Sequence, residues 1–452
     1  MAARSAIFAL LPALMAAPAF ADDGNNDDIG NITRFTLDNG MQVLVREDHR
    51  APVVVSQVWY NVGSSYEARG VTGIAHMLEH MMFKGTEKFP EGEFSAIVSR
   101  EGGRLNAFTS RDFTAYFEIM AADRLPIAFE LESDRMVNLQ LTDDALATER
   151  EVILEERRLR SDDRPEGRFG ERFAAIANPG TGYAHPIIGW EDDIRSISLD
   201  DLQSWYAHWY SPSNATLVVA GAVQADAVYA LADEYFGDIP AREVPAVRDP
   251  SVFNAAGERR LVYRDVQARI PQLRLSYDVP SFATVEDRAD VYALLMLSAI
   301  LDGGDGARLA EQLVRGNEVV AAAGAGYNPM ARLEADFSLY GVPTDGQVDE
   351  VETALRAQID ALKTEQVADE ELERARNQLL ADHLFELDSV FYQAMQLGML
   401  ETTGAGWQTL QDYQAGISAV TAEDIRSVAE RYLLPEHLAV GVMLPDEQGS
   451  DT

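Results

Sequence analysis

The chain repeats itself at a spacing of 223 residues, and this repeat constrains the fold more than any other feature. Residues 197–202 (ISLDDL) align with residues 420–425 (VTAEDI), and the register continues without a gap through Trp209/Tyr432 to Pro212/Pro435. Each copy combines a helix-capping Ser or Thr, an acidic first turn, an amphipathic helix, a proline and an apolar strand. The repeat therefore predicts two homologous halves.

Prolines concentrate between the two copies, as is common in linkers between domains. Residues 240–258 contain Pro240, Pro245 and Pro250. We therefore predict an N-terminal catalytic domain at 33–240, a linker at 241–258, a C-terminal domain without catalytic residues at 259–446 and a short tail at 447–452.

The first residues have the pattern of a secretory signal peptide. A short basic opening with Arg4 precedes the largely apolar stretch Ser5–Pro18, and Ala19-Phe20-Ala21 is a small-x-small cleavage site. We predict a signal peptide at 1–21, a flexible acidic leader at 22–32 and a periplasmic mature protein. No other stretch is long and apolar enough to cross a bilayer, so we expect no membrane span after cleavage.

Composition limits the possible partners and metal ligands. The formal net charge of −37 makes nucleic acid an unsuitable partner. The chain contains no cysteine, and its 452 residues can bury a large core without disulfides. Any zinc ligands must therefore be histidines and carboxylates, which suits a catalytic site better than a structural one.

The motif His76-Met77-Leu78-Glu79-His80 predicts a zinc helix. Residues four apart share one face of a helix, so His76 and His80 can bind one ion, with Thr72 as the expected N-cap. Glu79 flanks this face and can take a proton from water at the metal. The order inverts the commoner His-Glu-x-x-His motif. The alternative is a helix with two surface histidines and a solvated glutamate.

A third ligand is needed, and the acidic helix predicted at 142–160 offers candidates. Glu149 and Glu156 lie two helical turns apart and share a face, whereas Glu155 points about 100° away from Glu156. A carboxylate on that face can complete a His₂Glu site with one position left for water. The alternative is that these carboxylates simply face solvent.

The second half lacks the metal-binding residues. A helix predicted at Tyr292–Ile300 is the approximate counterpart of the zinc helix at an offset of 218 residues. At this offset, His76, Glu79 and His80 align with Leu294, Leu297 and Ser298. The second half therefore keeps the structural element without the metal chemistry.

Several motifs together resemble the pitrilysin and mitochondrial processing peptidase family of zinc metallopeptidases, the inverzincins. The zinc helix and the helix containing Glu149 and Glu156 carry the strongest resemblance. Four further stretches match: Leu37-Asp38-Asn39-Gly40-Met41, Gly103-x-x-Asn106-Ala107-x-Thr109, Trp209-Tyr210-x-Pro212-x-Asn214-Ala215 and Gly303-Gly304-x-x-x-Arg308-Leu309. The resemblance covers nearly the whole chain after the predicted signal peptide.

The resemblance implies a role for each matching residue. His76, His80 and Glu156 correspond to the family's zinc ligands, one ion per chain. Glu79 corresponds to the general base, and Glu149 to an acid that assists catalysis by orienting the site. Asn106, Ala107 and Thr109 lie on what resembles the substrate-binding edge strand, although ordinary strand packing is an alternative for each. The implied fold is α+β: two homologous α/β rolls, each a mostly antiparallel sheet with helices packed on one face.

The resemblance also implies a zinc endopeptidase that cleaves unfolded peptides inside a chamber built from two chains. The family commonly carries an Arg and, seven residues later, a Tyr that clamp the substrate. Here Arg315 occupies the first position, Ala322 the second, and Tyr327 comes five residues too late. We therefore expect a homologous partner chain that lacks the zinc motif, or else a homodimer. The alternative function is a non-catalytic scaffold or peptide-binding subunit.

Overall fold

The computed structural model describes residues 27–29, 31–247 and 257–446. The predicted signal peptide, most of the predicted leader, residues 248–256 of the predicted linker and the predicted tail lie outside the described residues. No helix in the described ranges is long and apolar enough to cross a membrane.

The first half contains a seven-stranded sheet with the order β1-β2-β3-β7-β4-β6-β5. Its strands are β1 (Asp27–Ile29), β2 (Ile32–Thr36), β3 (Gln42–Glu47), β4 (Val53–Tyr60), β5 (Arg104–Thr109), β6 (Thr114–Ala121) and β7 (Ala215–Gly221). Its helices are α1 (Ile74–Met81), α2 (Glu93–Arg100), α3 (Leu125–Asn138), α4 (Asp143–Arg157), α5 (Pro165–Ala177), α6 (Glu191–Ser196), α7 (Leu199–Trp209) and α8 (Ala225–Phe236). A π-helical segment, Arg158–Asp162, follows α4.

The second half contains a five-stranded sheet with the order β10-β11-β9-β12-β8. Its strands are β8 (Arg259–Asp265), β9 (Gln272–Val279), β10 (Val320–Tyr327), β11 (Ala335–Pro343) and β12 (Leu438–Pro445). Its helices are α9 (Arg288–Asp302), α10 (Val348–Thr364), α11 (Asp369–Glu386), α12 (Val390–Thr402), α13 (Thr409–Ala419) and α14 (Ala422–Tyr432).

The two sheets share one topology. The order β3-β7-β4-β6-β5 in the first half corresponds to β8-β12-β9-β11-β10 in the second. In each sheet the first of these pairs is parallel and the other three are antiparallel. Helices α7 and α14 both begin with a capping box, Ser198 with Asp201 and Thr421 with Asp424. The predicted α+β class with two homologous halves is confirmed.

The strands of the first sheet begin earlier than the sequence predicts. β1 and the first residue of β2 fall within the segment 22–32 that was predicted to be a flexible leader. β1 pairs antiparallel with β2, with Asp27 opposite Arg34. Ile32 is buried in an apolar cluster with Trp59. The acidic, Gly/Asn-rich composition gives no sign of this strand pairing. The burial of Ile32 depends on residues distant in sequence, which composition does not reveal.

Each half covers the outer face of the other half's sheet. The helices of the first half pack on one face of their sheet, and α12 from the second half packs against β4 and β7 on the other face. In return, α5 from the first half packs against β8 and β12. A Cβ at Gly398 would lie 2.0 Å from the Trp59 ring, and one at Gly441 would lie 2.5 Å from the Phe173 ring. Glycine at these two positions therefore lets α12 pack directly on the Trp59 ring and lets the Phe173 ring of α5 pack directly on β12.

A loop of the second half also reaches the first half beside the edge strand β5. This loop, residues 328–334, connects β10 to β11. The backbone N–H of Arg332 donates to Asp112 Oδ2 (3.1 Å), and its guanidinium donates to Ser65 Oγ (3.2 Å). Asp112 is buried in the turn between β5 and β6 and also accepts from the Tyr183 hydroxyl. We call these contacts the interdomain latch.

Candidate metal centre

The helix that carries the motif is α1, and its N-terminus is capped by a side chain six residues before the N-cap residue Gly73. The Glu67 carboxylate accepts hydrogen bonds from the backbone N–H groups of Gly73 (2.8 Å) and Ala75 (2.9 Å). The prediction that Thr72 is the N-cap is wrong, because its hydroxyl donates to Asp193 (2.6 Å). A carboxyl group at this position satisfies two of the backbone donors that the first turn of a helix leaves without intrahelical partners.

The polar side of α1 is buried as well as the apolar side. Ile74, Met77, Leu78 and Met81 lie in the core of the first half. His76 is only 8% exposed and Glu79 only 9%. The alternative of two surface histidines with a solvated glutamate does not describe this helix.

Glu156 on α4 completes a group of three donor atoms. Its Oε2 lies 3.8 Å from His76 Nε2 and 3.5 Å from His80 Nε2, and the three ligand atoms lie within 4.8 Å of one another. Two ligands of a tetrahedral zinc ion, each about 2 Å from it, are separated by about 3.3 Å. Two imidazoles and one carboxylate with this spacing fit a zinc ion. Glu155 points away and pairs with Arg158 (2.6 Å).

Burial and neighbouring charges set the protonation of these groups. Burial, reinforced by the nearby His80, lowers the pKa of His76 to about 4. Burial alone would lower the pKa of His80, but hydrogen bonds to Glu156 and Glu149 outweigh it and raise that pKa. The hydrogen bond from His80 lowers the pKa of Glu156. His76 is therefore a neutral imidazole, and His80 and Glu156 share a proton. A metal cation can replace that proton when it binds to the three groups.

Glu149 lies behind His80 and is itself held by a lysine. His80 Nδ1 donates to Glu149 Oε2 (3.1 Å), which leaves Nε2 directed at Glu156. Lys84 Nζ lies 2.6 Å from Glu149 Oε1 and donates to Glu91 (2.8 Å). Burial opposes ionisation of Glu149, but the bonds to Lys84 and His80 prevail and lower its pKa. Metal-binding histidines are commonly oriented by a carboxylate in this way. Sequence reasoning missed Lys84, which lies beyond the end of α1 and has no distinctive spacing.

Thr109 connects the edge strand to Glu79. The hydroxyl of Thr109 donates to Glu79 Oε2 at 2.5 Å. Burial raises the pKa of Glu79, and the bond from Thr109 only partly offsets this effect. Asn106 and Ala107 lie on the same strand, which is the outermost strand of the described sheet. Neither of these two residues has a hydrogen bond to the metal-ligand candidates within the described ranges.

Two family models match the chain in succession. Residues 42–189 match the model described as "Insulinase (Peptidase family M16)", and residues 196–379 match the one described as "Peptidase M16 inactive domain". The first match includes α1 and α4, whereas the second includes α9, which has leucines at two of the three aligned metal-site positions.

Similar proteins include named peptidases. The chain is 31% identical over 401 residues to the zinc protease PqqE of Helicobacter pylori, covering 88% of this chain and 89% of the relative. It is 27% identical over 426 residues to the mitochondrial-processing peptidase subunit beta of Lentinula edodes, covering 91% and 90%. The crystal structure of a protease from Helicobacter pylori superposes with a TM-score of 0.85 at 29% identity, covering 91% of this chain and 99% of that chain.

Proposed function

The chain belongs to peptidase family M16, and on this premise we propose that it is an exported zinc endopeptidase that cleaves unfolded peptides. One observation carries the proposal: Nε2 of His76, Nε2 of His80 and Oε2 of Glu156 converge within 4.8 Å beside a buried Glu79. We propose these three residues as ligands of one zinc ion per chain. Zinc held there would polarise a peptide carbonyl and acidify an attacking water.

Glu79 is the proposed general base. It accepts a proton from the attacking water and then passes it to the amine of the departing peptide. Burial raises its pKa, which favours a carboxylate that must both take up and release a proton. The hydrogen bond from Thr109 keeps one oxygen, Oε2, occupied and leaves Oε1 for this transfer. Thr109 thus positions the base.

The substrate would bind by adding a strand to β5. The outer edge of this strand has no partner strand in the described sheet. Main-chain hydrogen bonds to such an edge give affinity without strict sequence demands, which suits unfolded peptides. Asn106 and Ala107 would contact the peptide along this edge. Glu149 assists by orienting His80, with Lys84 holding Glu149 in turn.

Export to the periplasm rests on the signal-peptide pattern at residues 1–21. We propose that the mature protein begins at Asp22. N-terminal sequencing of the protein from its own host tests this step, and a chain that still begins at Met1 would contradict it.

A partner chain is the further part of the proposal. The family's substrate clamp needs an Arg and a Tyr, yet Ala322 occupies the Tyr position. Tyr327 is engaged elsewhere, since its hydroxyl donates to the carbonyl of Pro280 (2.6 Å). The guanidinium of Arg315 is bound to the carbonyl of Asp305. We propose that a homologue without the zinc motif supplies the clamp in a two-chain chamber, with a homodimer as the simpler assembly.

The central experiment measures zinc content and cleavage of an unfolded peptide on one preparation. The expected result is about one zinc per chain and cleavage that stops on chelation and returns with zinc. Activity should rise when a homologue with Arg and Tyr at the clamp positions is added. A chain that binds peptides but never cleaves them, with zinc and each candidate partner present, would favour the alternative of a peptide-binding or scaffold subunit.

A further inference from the structure

A cavity of about 490 Å³ lies between α5 of the first half and the outer face of the second sheet. Its walls are Gly170 and Phe173 of α5, Arg274 of β9, Asp336 of β11, and Arg111 from the turn between β5 and β6. α5 packs against β8 and β12, and the cavity opens where β9 and β11 continue beyond it. Both halves of the chain therefore build this space.

Arg274 is a cation without a carboxylate partner in this cavity. Its closest polar contact is a long one, 3.5 Å from Nη2 to the side-chain oxygen of Gln272, and its guanidinium lies 5.2 Å from the Phe169 ring. Among the described residues, no carboxylate lies within ion-pair distance of it, and Glu166 acts on it only from farther away. Burial lowers the pKa of Arg274. A partly buried guanidinium that lacks an anion is poorly compensated, and an arriving carboxylate would compensate it.

The other charges of the cavity are already engaged with one another. Asp336 accepts a hydrogen bond from Ser276 (3.0 Å) and lies 3.8 Å from Arg111. Among the described residues that line the cavity, Arg274 therefore carries the charge that no opposite charge neutralises. A Cβ at Gly170 would lie 3.3 Å from Arg274 Nη1, so glycine leaves the guanidinium room to project.

The cavity lies where a peptide bound along the edge strand would continue. Thr109, the last residue of β5, contacts Glu79, and Arg111 follows two residues later. The turn that carries Arg111 is fixed, because its carbonyl accepts from Ser65 N–H (2.7 Å) and its guanidinium lies 5.0 Å from the Tyr183 ring. A peptide strand that passes Thr109 would therefore approach the turn whose Arg111 lines the cavity.

We propose that this cavity is a specificity site that binds a carboxylate of the peptide, with Arg274 as the main contact and Arg111 beside it. The inference rests on the proposed peptidase function and adds a preference to it: peptides with a carboxylate a few residues from the scissile bond. That carboxylate is either the peptide C-terminus or the side chain of Asp or Glu. Arg274 offers forked donors that match both.

The test is a binding measurement that needs no catalysis. The Glu79→Gln protein is immobilised and offered two pools of peptides from a digested, unfolded proteome, one with free carboxylates and one with all carboxylates converted to methylamides. We expect the free pool to bind about tenfold more tightly or better, as charge-assisted hydrogen bonds allow. Adding Arg274→Gln should abolish the difference. Arg426→Gln, which removes an exposed arginine paired with Glu423, should retain it.

Two further arms complete the experiment. Synthetic versions of one retained peptide, with Glu replaced by Gln or with an amidated C-terminus, identify which carboxylate binds. Arg274→Lys tests whether the forked donors of the guanidinium are needed, because lysine keeps the positive charge without them. We expect this variant to recover only part of the preference for free carboxylates. Equal binding of the two pools, or a preference that survives Arg274→Gln, overturns the inference. Cleavage of both pools by the wild-type protein would then leave the proposed function standing. A preference lost in Arg274→Gln, with no cleavage by the wild-type protein when zinc and each candidate partner are present, would refute the peptidase function but support the site.

Discussion

Helices α1 and α9 occupy the same place in two sheets of the same topology, yet of the two only α1 carries residues of the candidate metal site. The positions of His76, Glu79 and His80 in α1 are taken by Leu294, Leu297 and Ser298 in α9. Leu294 and Leu297 are fully buried in the core of the second half. The same architecture therefore accepts either a polar centre or an apolar core at this position, and the choice rests on a few side chains.

The polar site on α1 needs supporting hydrogen-bond and ion-pair partners. The apolar core around α9 needs none of this kind. In the first half, Glu67 caps the helix, Glu149 orients His80, Lys84 holds Glu149 and Thr109 holds Glu79. Buried polar groups are costly unless they are paired, and His80, Glu149 and Glu79 each have such a partner. Leucines at the aligned positions pack without such partners. Four experiments with substituted proteins test this contrast, in order of decreasing effect.

Glu79→Gln should remove nearly all peptidase activity while zinc stays bound. The amide keeps the shape and can still meet Thr109 but cannot accept a proton, and loss of a general base typically costs about 10²–10⁴-fold in rate. Turnover and zinc content are measured on the same preparation. Normal turnover with zinc present would show that Glu79 is not the base.

Glu156→Gln should weaken zinc binding by more than the roughly 10- to 100-fold typical of losing a group that only orients a ligand. Glu155→Gln is the matched control, because Glu155 lies next in sequence, is 51% exposed and pairs with Arg158. Zinc titrations of the two variants decide which of the two neighbouring glutamates binds the metal. A larger loss for Glu155→Gln would mean that the wrong carboxylate has been assigned.

Leu294→Ala should lower the free energy of unfolding much more than His76→Ala does. Leu294 is fully buried in an apolar core, so its truncation should cost about 2–5 kcal/mol of unfolding free energy. His76→Ala, measured without metal, should cost about 1 kcal/mol or less, because it removes a buried polar group whose Nδ1 has no hydrogen-bond partner within the described ranges. Chemical denaturation of both variants gives the two values. Equal losses would mean that α1 contributes to stability as α9 does.

Arg332→Met should loosen the interdomain latch with a smaller effect, about 1–3 kcal/mol of unfolding free energy. The variant keeps the backbone bond to Asp112 but loses the guanidinium contacts to Ser65, to the Tyr66 ring and to Asp112 Oδ1 (3.6 Å). Arg332→Lys retains a cation and should recover part of the loss. Hydrogen exchange in the β5–β6 turn should rise in the Met variant. Unchanged exchange there would show that the latch does not hold the edge strand.

Local periodicity predicted which side chains of the candidate site share a helix face but not what surrounds them. The spacing of His76 and His80 and the shared face of Glu149 and Glu156 follow from helical geometry, so these groupings could be read from the sequence. The 223-residue repeat likewise predicted the paired halves. Glu67, Lys84 and the latch depend on which faces meet in three dimensions. Periodicity identifies residues that share a face and carries no information about the partner of that face.

Composition misled at the start of the chain. An acidic segment rich in Gly and Asn resembles a loose leader, yet β1 pairs with β2 and Ile32 is buried against residues far along the chain. The identity of Arg274 likewise gave no sign of its environment. Its missing counter-ion becomes visible only when α5 is seen to cross the second sheet.

The exchange of covering helices between the halves has a consequence for biosynthesis. The ribosome completes the first sheet with β7, which ends at Gly221, long before it makes α12, which begins at Val390. At 5–20 residues per second, this delay lasts roughly ten to thirty seconds. Throughout that interval the Trp59 face of the first sheet lacks the cover that α12 provides, and we expect the nascent chain to depend on a chaperone to shield it. Gene fragments that encode only the first half should therefore yield insoluble protein, however complete their catalytic residues.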